Sequence, residues 1–437
     1  MQLTSLLRTA ATSAALCVLF LIASQAAQAQ TETVLYSFCS ANNCDDGTNP
    51  NGPLAADPYG GFFGTTQGGG ISGVGAVFLL SPEPSGGCES GSNPGNGWCE
   101  NVLYNFCSVA NCADGNQPEG SVVYLGSKFG RSGNLYGTTE YGGAIGNGTV
   151  FEISAEPLSP PGCPSGSNQG VGGWCETVLY SFCSQSSCTD GYYPTGNIVE
   201  DSAGNLYGTV ANGVFELSPN GSGGWNESLI YQDGDIQGGL TIDGAGNLYG
   251  VDAYLLTGLG DVFKLSQSED GWTGENIHSF NGSPDGLIPN GPPAIDSAGN
   301  VYGTTYGGGH EDYGTVWKLI PVTTAKGAGT YKEKILHSFT AGKNGQYPAA
   351  GVTLDSSGNV YGTTAYGGTG CLLGCGTVFE LAVSGDNYKY KHLSSFNGTD
   401  GAQPYSNPIL LNGSGNLYGT TLNGGAEGWG TVFEVTP

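Results

Sequence analysis

The stretch Gly299–Leu319 reads Gly-Asn-Val-Tyr-Gly-Thr-Thr-Tyr-Gly-Gly-Gly, then a variable loop His310–Tyr313, then Gly-Thr-Val-Trp-Lys-Leu. Two short runs rich in Val, Tyr, Thr and Trp are bounded by glycine, the pattern of paired β-strands. The stretch occurs seven times, centred on Phe63, Tyr136, Tyr207, Tyr249, Tyr302, Tyr361 and Tyr418. Each copy is followed by a Thr-Val-Phe-like run at Phe78, Phe151, Phe215, Phe263, Trp317, Phe379 or Phe433. Self-similarity at about sixty residues points to an array of equivalent units.

Each unit carries four β-like runs, in the fifth copy Pro292–Asp296, Asn300–Thr305, Gly314–Leu319 and Lys334–Phe339. No helical period of useful length follows the first thirty residues. Seven four-stranded units are too many for one sandwich and suit radial closure. The fourth run recurs at Val102–Phe106, Val178–Phe182, Ile277–Phe280, Ile335–Phe339 and His392–Phe396, while the seventh copy stops at Pro437 without one. A spare copy, Val34–Phe38, lies at the other end of the chain. The expectation is an all-β, seven-bladed β-propeller of four-stranded blades, its last blade closed by the N-terminal strand, so that no sheet edge is left open.

Residues 1–29 place one basic residue (Arg8) before an apolar run, Ala14–Ala23, and small residues at Ala27–Ala29, the order of a secretory signal. That makes 30–437 one propeller domain of an exported protein, secreted or periplasmic. The apolar run is short for a membrane span, and none like it follows. Of thirteen cysteines, Cys17 lies in the leader, leaving twelve. They fall into close pairs: Cys39/Cys44, Cys107/Cys112 and Cys183/Cys188 at one spacing, Cys88/Cys99 and Cys163/Cys175 at another, and Cys371/Cys375. Local disulfides fit this better than zinc, because no Cys-x-x-Cys pair is present. Closing a loop of about six residues is worth roughly 2 kcal/mol, so these bonds staple loops.

Eleven basic residues stand against thirty-seven acidic ones, a net charge of −26. Such a surface repels nucleic acid and anionic lipid, whose recognition is built on Lys and Arg. The aromatic residues are plentiful and periodic, which argues against acidic disorder.

The strings Gly133–Glu152 and Gly415–Glu434, Gly-Asn-Leu-Tyr-Gly-Thr-Thr through a Gly-Gly loop to Gly-Thr-Val-Phe-Glu, resemble the GloVer (Gloeo/Verruco) tandem repeat of exported bacterial proteins. The resemblance covers nearly the whole chain after the leader. The copies at Tyr207 and Tyr249 depart from it, losing Thr-Thr and shortening the Gly-Gly loop. It implies an exported repeat protein of unassigned activity and supplies no catalytic residues. Some relatives end in a surface-sorting anchor; this chain ends at its last strand, which favours free secretion.

Two loop sets share one face if the strands run from the centre outward. One carries Asp-Gly-x-x-Pro, with Asp46, Asp114, Asp190, Asp285 and Asp400; the other is the glycine-rich loop, with Tyr141, Tyr306 and Tyr366. Carboxylates and phenols in a ring suit a sugar or a cation, although an Asp-Gly turn before a rigid proline is also ordinary loop chemistry. The Asp-x-x-Gly-Asn turns at Asp201, Asp243, Asp296 and Asp355 read as hairpin turns, and they lack the ligand density calcium requires. Trp-x-Glu at Trp98, Trp174 and Trp225 reads as packing or as a sugar-stacking row. His278 and His337 take a strand position filled elsewhere by Tyr36, Tyr104 and Tyr180, and so read as packing residues; His392 lies nearby on an equivalent strand. His310, beside Glu311 and Asp312, has the look of a local site. We find no nucleophile elbow, zinc-protease motif or phosphate loop.

The reading is a secreted, non-catalytic propeller, a monomer presenting loops to an extracellular glycan or exported protein, with no cofactor beyond a possible calcium. The alternatives are a glycoside hydrolase or polysaccharide lyase on the loop face, and a structural envelope protein. An enzyme requires carboxyls, or a carboxyl with Tyr or His, converging in a pocket.

Overall fold

The Tyr-Gly-Thr-Thr and Thr-Val-Phe runs pair as the two middle strands of each blade, and their register explains the repeat. In the fifth blade Val301–Gly307 lies antiparallel to Thr315–Val322, with Gly303 directly opposite Trp317. A Cβ on Gly303 would lie 2.3 Å from the indole ring, so only glycine lets the buried aromatic lie flat across the neighbouring strand. The computed structural model describes residues 31–126, 133–155, 162–232, 236, 238–253, 259–322, 330–405, 410–411 and 415–436. The expected leader at 1–29 lies outside them.

Seven antiparallel sheets of four or five strands are arranged as a seven-bladed β-propeller. The fifth blade runs Leu287–Ile295, Val301–Gly307, Thr315–Val322 and Thr330–Ser338 from the centre outward. Two short extra strands, Asn93–Pro94 and Asn168–Gln169, widen the first and second blades. The helices among the described residues are single 3-10 turns such as Asn42–Cys44.

The seventh blade is closed as expected. Thr31–Ser37 pairs antiparallel with Thr431–Thr436, from Thr31 opposite Thr436 to Ser37 opposite Thr431. A bulge falls at Leu35, and the same irregularity occurs in the outer pair of every blade. A bulge breaks strict alternation, so the consecutive residues Leu35 and Tyr36 both turn inward, each 1% exposed. This is why the outer strand reads Val-Leu-Tyr-Ser-Phe.

Hydrogen bonds then tie blade to blade. The first threonine of Thr-Thr donates to the loop entering the next blade: Thr65 to Gly120 O (2.9 Å), Thr304 to Ala350 O (2.6 Å), Thr363 to Pro404 O (3.2 Å). Thr420 closes the circle by donating to Gly52 O of the first blade at 3.4 Å. The second threonine couples the two middle strands, as in Thr139 Oγ1 to Thr149 Oγ1 at 2.8 Å. Seven apolar clusters fill the ring between these ties, several drawing residues from adjacent blades.

All six expected disulfides form: Cys39–Cys44, Cys88–Cys99, Cys107–Cys112, Cys163–Cys175, Cys183–Cys188 and Cys371–Cys375. Such bonds persist in oxidising compartments. No helix among the described residues is long and apolar enough to cross a membrane.

Candidate functional site

The Asp-Gly-x-x-Pro loops lead into the innermost strands. In these five loops and in the Asn344–Pro348 variant, which has Asn in place of Asp, the residue before the proline is held in the left-handed region: Asn49, Gln117, Tyr193, Ile288, Tyr347 and Gln403, at φ between 50° and 56°. A non-glycine side chain pays for that conformation, and its surroundings must hold it there. They do so from both sides, for example at Tyr347, whose N–H donates to Tyr313 O (2.9 Å) and whose carbonyl accepts from Ala365 N–H (3.0 Å). The residue after the proline is thereby turned to the centre. Asn51, Glu119, Thr195, Asn290, Ala349 and Tyr405 all occupy this position, and together they line a central cavity of about 310 Å³.

Around this mouth the side chains form one connected belt. Tyr306 stacks on Tyr347, ring centres 4.9 Å apart, and Tyr347 meets Tyr366 edge-on at 6.2 Å. The Tyr366 and Tyr405 hydroxyls are 2.7 Å apart. Gln403 donates to the Tyr366 hydroxyl (3.2 Å), Asn423 to Gln403 (2.7 Å) and Asn49 to Asn423 (3.3 Å). Beyond Asn49, whose carbonyl accepts from Gln67 N–H (3.1 Å), the Gln67 side chain donates to Glu119, and Glu140 lies close enough for its charge to act on Glu119. Burial, and then the charge of Glu140, push the Glu119 carboxyl up to about 7. Tyr141, next to Glu140 in the chain, packs on Tyr193 at 5.3 Å; both residues are 36% exposed.

Of the residues singled out in the sequence, Tyr141, Tyr306 and Tyr366 stand in this belt. The aspartates do not line the mouth. Asp46 and Asp114 are fully buried, and Asp190 is 1% exposed. Asp46 Oδ2 accepts from the Tyr36 hydroxyl (2.6 Å) and Ser40 N–H (2.9 Å); Asp114 and Asp190 repeat this with Tyr104, Ser108, Tyr180 and Ser184. Asp400 accepts from Asn397 N–H at 2.8 Å, and Asp285 meets His278 at 3.3 Å. His310 is exposed in its loop.

Other motifs are also occupied internally. Asp201 Oδ1 accepts from the N–H groups of Ala203 (2.8 Å) and Asn205 (3.0 Å), and Oδ2 from Asn205 Nδ2 and the Tyr207 hydroxyl. Burial works against ionisation there, but these donors hold the carboxyl below its ordinary value. Trp98 stacks on Phe62 at 5.7 Å, and Trp272 meets Tyr207 at 5.5 Å. His337 stacks on Tyr390 at 4.4 Å, and burial lowers it to about 4.

Glu119 and Glu140 were not singled out by sequence. The available signal was variation: the residue after Thr-Thr is Gln67, Glu140, Tyr306, Ala365 or Leu422 in otherwise matching copies. A second carboxyl set was missed in Trp-x-Glu, whose acids enter the seams between blades. Glu100 is fully buried; Asn93 donates to its Oε2 at 2.7 Å, while Oε1 and the neighbouring Asp46 Oδ1 have no hydrogen-bond partner. Burial first, and then the charge of Asp46, raise this carboxyl to about 8. Glu176 lies beside Asp114, its Oε1 likewise without a partner, and burial and then the charge of Asp114 raise it to about 8, while Asp114 Oδ1 accepts from Val109 N–H at 3.4 Å.

The sequence model of the Gloeobacter/Verrucomicrobia repeat matches residues 18–216 and 235–437. No curated protein matches. Among solved structures, the extracellular domain of a hybrid two-component system from B. thetaiotaomicron superposes with a TM-score of 0.51 at 12% identity, over 93% of this chain and 41% of that one. The chain thus spans about two fifths of that structure's length. Virginiamycin B lyase from Staphylococcus aureus gives a TM-score of 0.47 at 15% identity, over 93% of this chain and 99% of that one. The first likeness bears on the fold alone, and the second is weaker. The repeat match spans most of the sequence, and the chain belongs to the Gloeobacter/Verrucomicrobia repeat family.

Proposed function

We propose that this is an exported protein that binds an extracellular carbohydrate at the channel mouth and leaves it intact. The observation that carries the reading is the belt from Tyr306 to Tyr193, in which a run of phenol rings is followed by amides, carboxyls and two further phenols around one cavity mouth. Sugar rings present apolar faces and hydroxyl edges, so a site for them combines aromatic platforms with convergent polar groups. Left-handed residues repeated beside the cavity agree with this, because backbone strain concentrates where side chains are held for binding. Six disulfides support export.

The hydrolase reading is the alternative. Glycoside cleavage uses carboxyls about 5–5.5 Å apart for retention and about 6.5–9.5 Å apart for inversion, and Glu119 and Glu140 are carboxyls that line the cavity.

The test is a glycan array probed with the purified chain, with calcium and again with chelator, and with incubated glycans checked for cleavage. Selective binding that Tyr405→Ala and Glu119→Ala each weaken about tenfold or more is the expected result. Binding unaffected by both variants overturns the proposed site. Cleavage overturns the non-catalytic part of the reading, and silence on every glycan favours a protein partner or a structural role.

A further inference from the structure

We propose that the seam between the fourth and fifth blades is a site for a divalent transition metal, of which zinc is the best match, on His278, Asp285 and Glu333. Three separate elements supply these residues. His278 lies on the outer strand Gly271–Ser279, Glu333 on the outer strand Thr330–Ser338, and Asp285 in the Asp-Gly loop between blades. Among the described residues this is the one grouping of three metal-ligating side chains whose ligand atoms all lie within 4.8 Å of one another.

The other seams supply the comparison. At the position of His278, Tyr36, Tyr104 and Tyr180 donate a phenol proton to Asp46, Asp114 and Asp190. A phenol is a poor metal ligand at neutral pH, whereas a neutral imidazole is a good one. Here the same two carboxyls meet an imidazole. His278 Nε2 stands 3.3 Å from Asp285 Oδ1 and 3.5 Å from Glu333 Oε1. Zinc bonds of about 2.0–2.1 Å in a tetrahedron place ligand atoms about 3.3–3.4 Å apart, which matches both distances.

Two further features suit a metal. Glu333 Oε1 is buried and has no hydrogen-bond partner, so it has a lone pair to give. Asp285 is oriented through its other oxygen, which accepts from Asn281 N–H (2.8 Å) and Nδ2 (3.3 Å), the kind of outer contact that aims a ligand. The side chains are 17%, 13% and 21% exposed, so an ion can enter and water can complete its coordination. A divalent ion would neutralise two neighbouring carboxylates.

The experiment titrates chelator-treated full-length protein with zinc by calorimetry, and with cobalt by visible absorption. We expect one zinc per chain, an intense tetrahedral cobalt band, and a melting temperature that rises with zinc. His278→Tyr recreates the tyrosine of the matching seams, so this variant should fold and lose zinc affinity about tenfold or more. Glu333→Gln should do the same, while His310→Ala keeps wild-type binding. Absence of zinc binding at tens of micromolar overturns the proposal, as does a folded His278→Tyr that binds as well as wild type. Loss of binding in His310→Ala alone would move the site elsewhere and overturn it equally.

Discussion

Replacing Glu100 by Gln tests the buried seam carboxyl through its pH dependence. The Glu100 carboxyl is fully buried and rises from an ordinary 4.5 to about 8. Because its folded value lies above its unfolded one, the unfolded chain holds fewer protons between pH 4.5 and 8, and wild-type stability falls as pH rises through that window. At about 1.4 kcal/mol per pH unit crossed, the cost is about 3 kcal/mol at pH 7 and about 5 kcal/mol above pH 8. Glutamine has the same shape and no charge. Its oxygen can accept from Asn93, and it has no charge to bury at any pH. Unfolding a chain of about 400 ordered residues carries roughly 0.8 kcal/mol per degree, so Glu100→Gln should melt about 4 °C above wild type at pH 7 and about 6 °C above it past pH 8. The gap should close near pH 4.5. Thermal melts followed by circular dichroism at pH 4.5, 7 and 8.5 measure it, with Glu176→Gln as an independent repeat. Parallel melting curves across that range, or a gap that widens toward acid, would refute the raised carboxyl.

Deleting Thr31–Ser40 removes the closing strand with buried Leu35, Tyr36 and Phe38, and at about 1.5–3 kcal/mol per side chain should cost at least about 5 kcal/mol. An unchanged melt would mean that the strand does not hold the ring. Gly303→Ala drives a methyl against Trp317 and should cost about 1–3 kcal/mol, whereas Gly86→Ala, with open space around it, should be near neutral in the same denaturant titration. Replacing Cys39 and Cys44 by Ser should cost about 2 kcal/mol and leave the glycan profile unchanged, since neither cysteine lines the cavity; a lost profile would contradict the placement of the site.

Strand positions were legible because each blade repeats the same solution to the same packing problem. Tyr-Gly opposite Thr-Val-Phe is a glycine cleared for a ring, and a run with that requirement announces itself seven times. The disulfide pairs were legible for a similar reason, as each closes a loop of a few residues. The bulge at Leu35 was not, because period-two reading puts consecutive residues on opposite faces, and only the paired outer strand turns both inward. Repetition also misled at Asp46, Asp114 and Asp190: the regular ring of aspartates looked like a binding surface, yet its regularity reflects a buried contact every seam needs. His278 read as a substitute for tyrosine in packing, and it does occupy that place beside Phe280, at 4.7 Å between ring centres. Its carboxyl neighbours come from another loop and another blade, where no linear pattern joins them.

The sequence by itself determined the all-β architecture, the number of blades, closure by the N-terminal strand and the pairing of the cysteines. These rest on local chemistry: alternation, turn residues, short loops and a missing strand whose spare copy is visible. The tertiary structure alone decided which irregular side chains meet. Tyr306 and Tyr347, Gln67 and Glu119, and His278 and Glu333 are separated by roughly the length of a blade. Closing the ring sets equivalent loops of adjacent blades side by side, so the belt and the seams are built from residues the chain holds far apart.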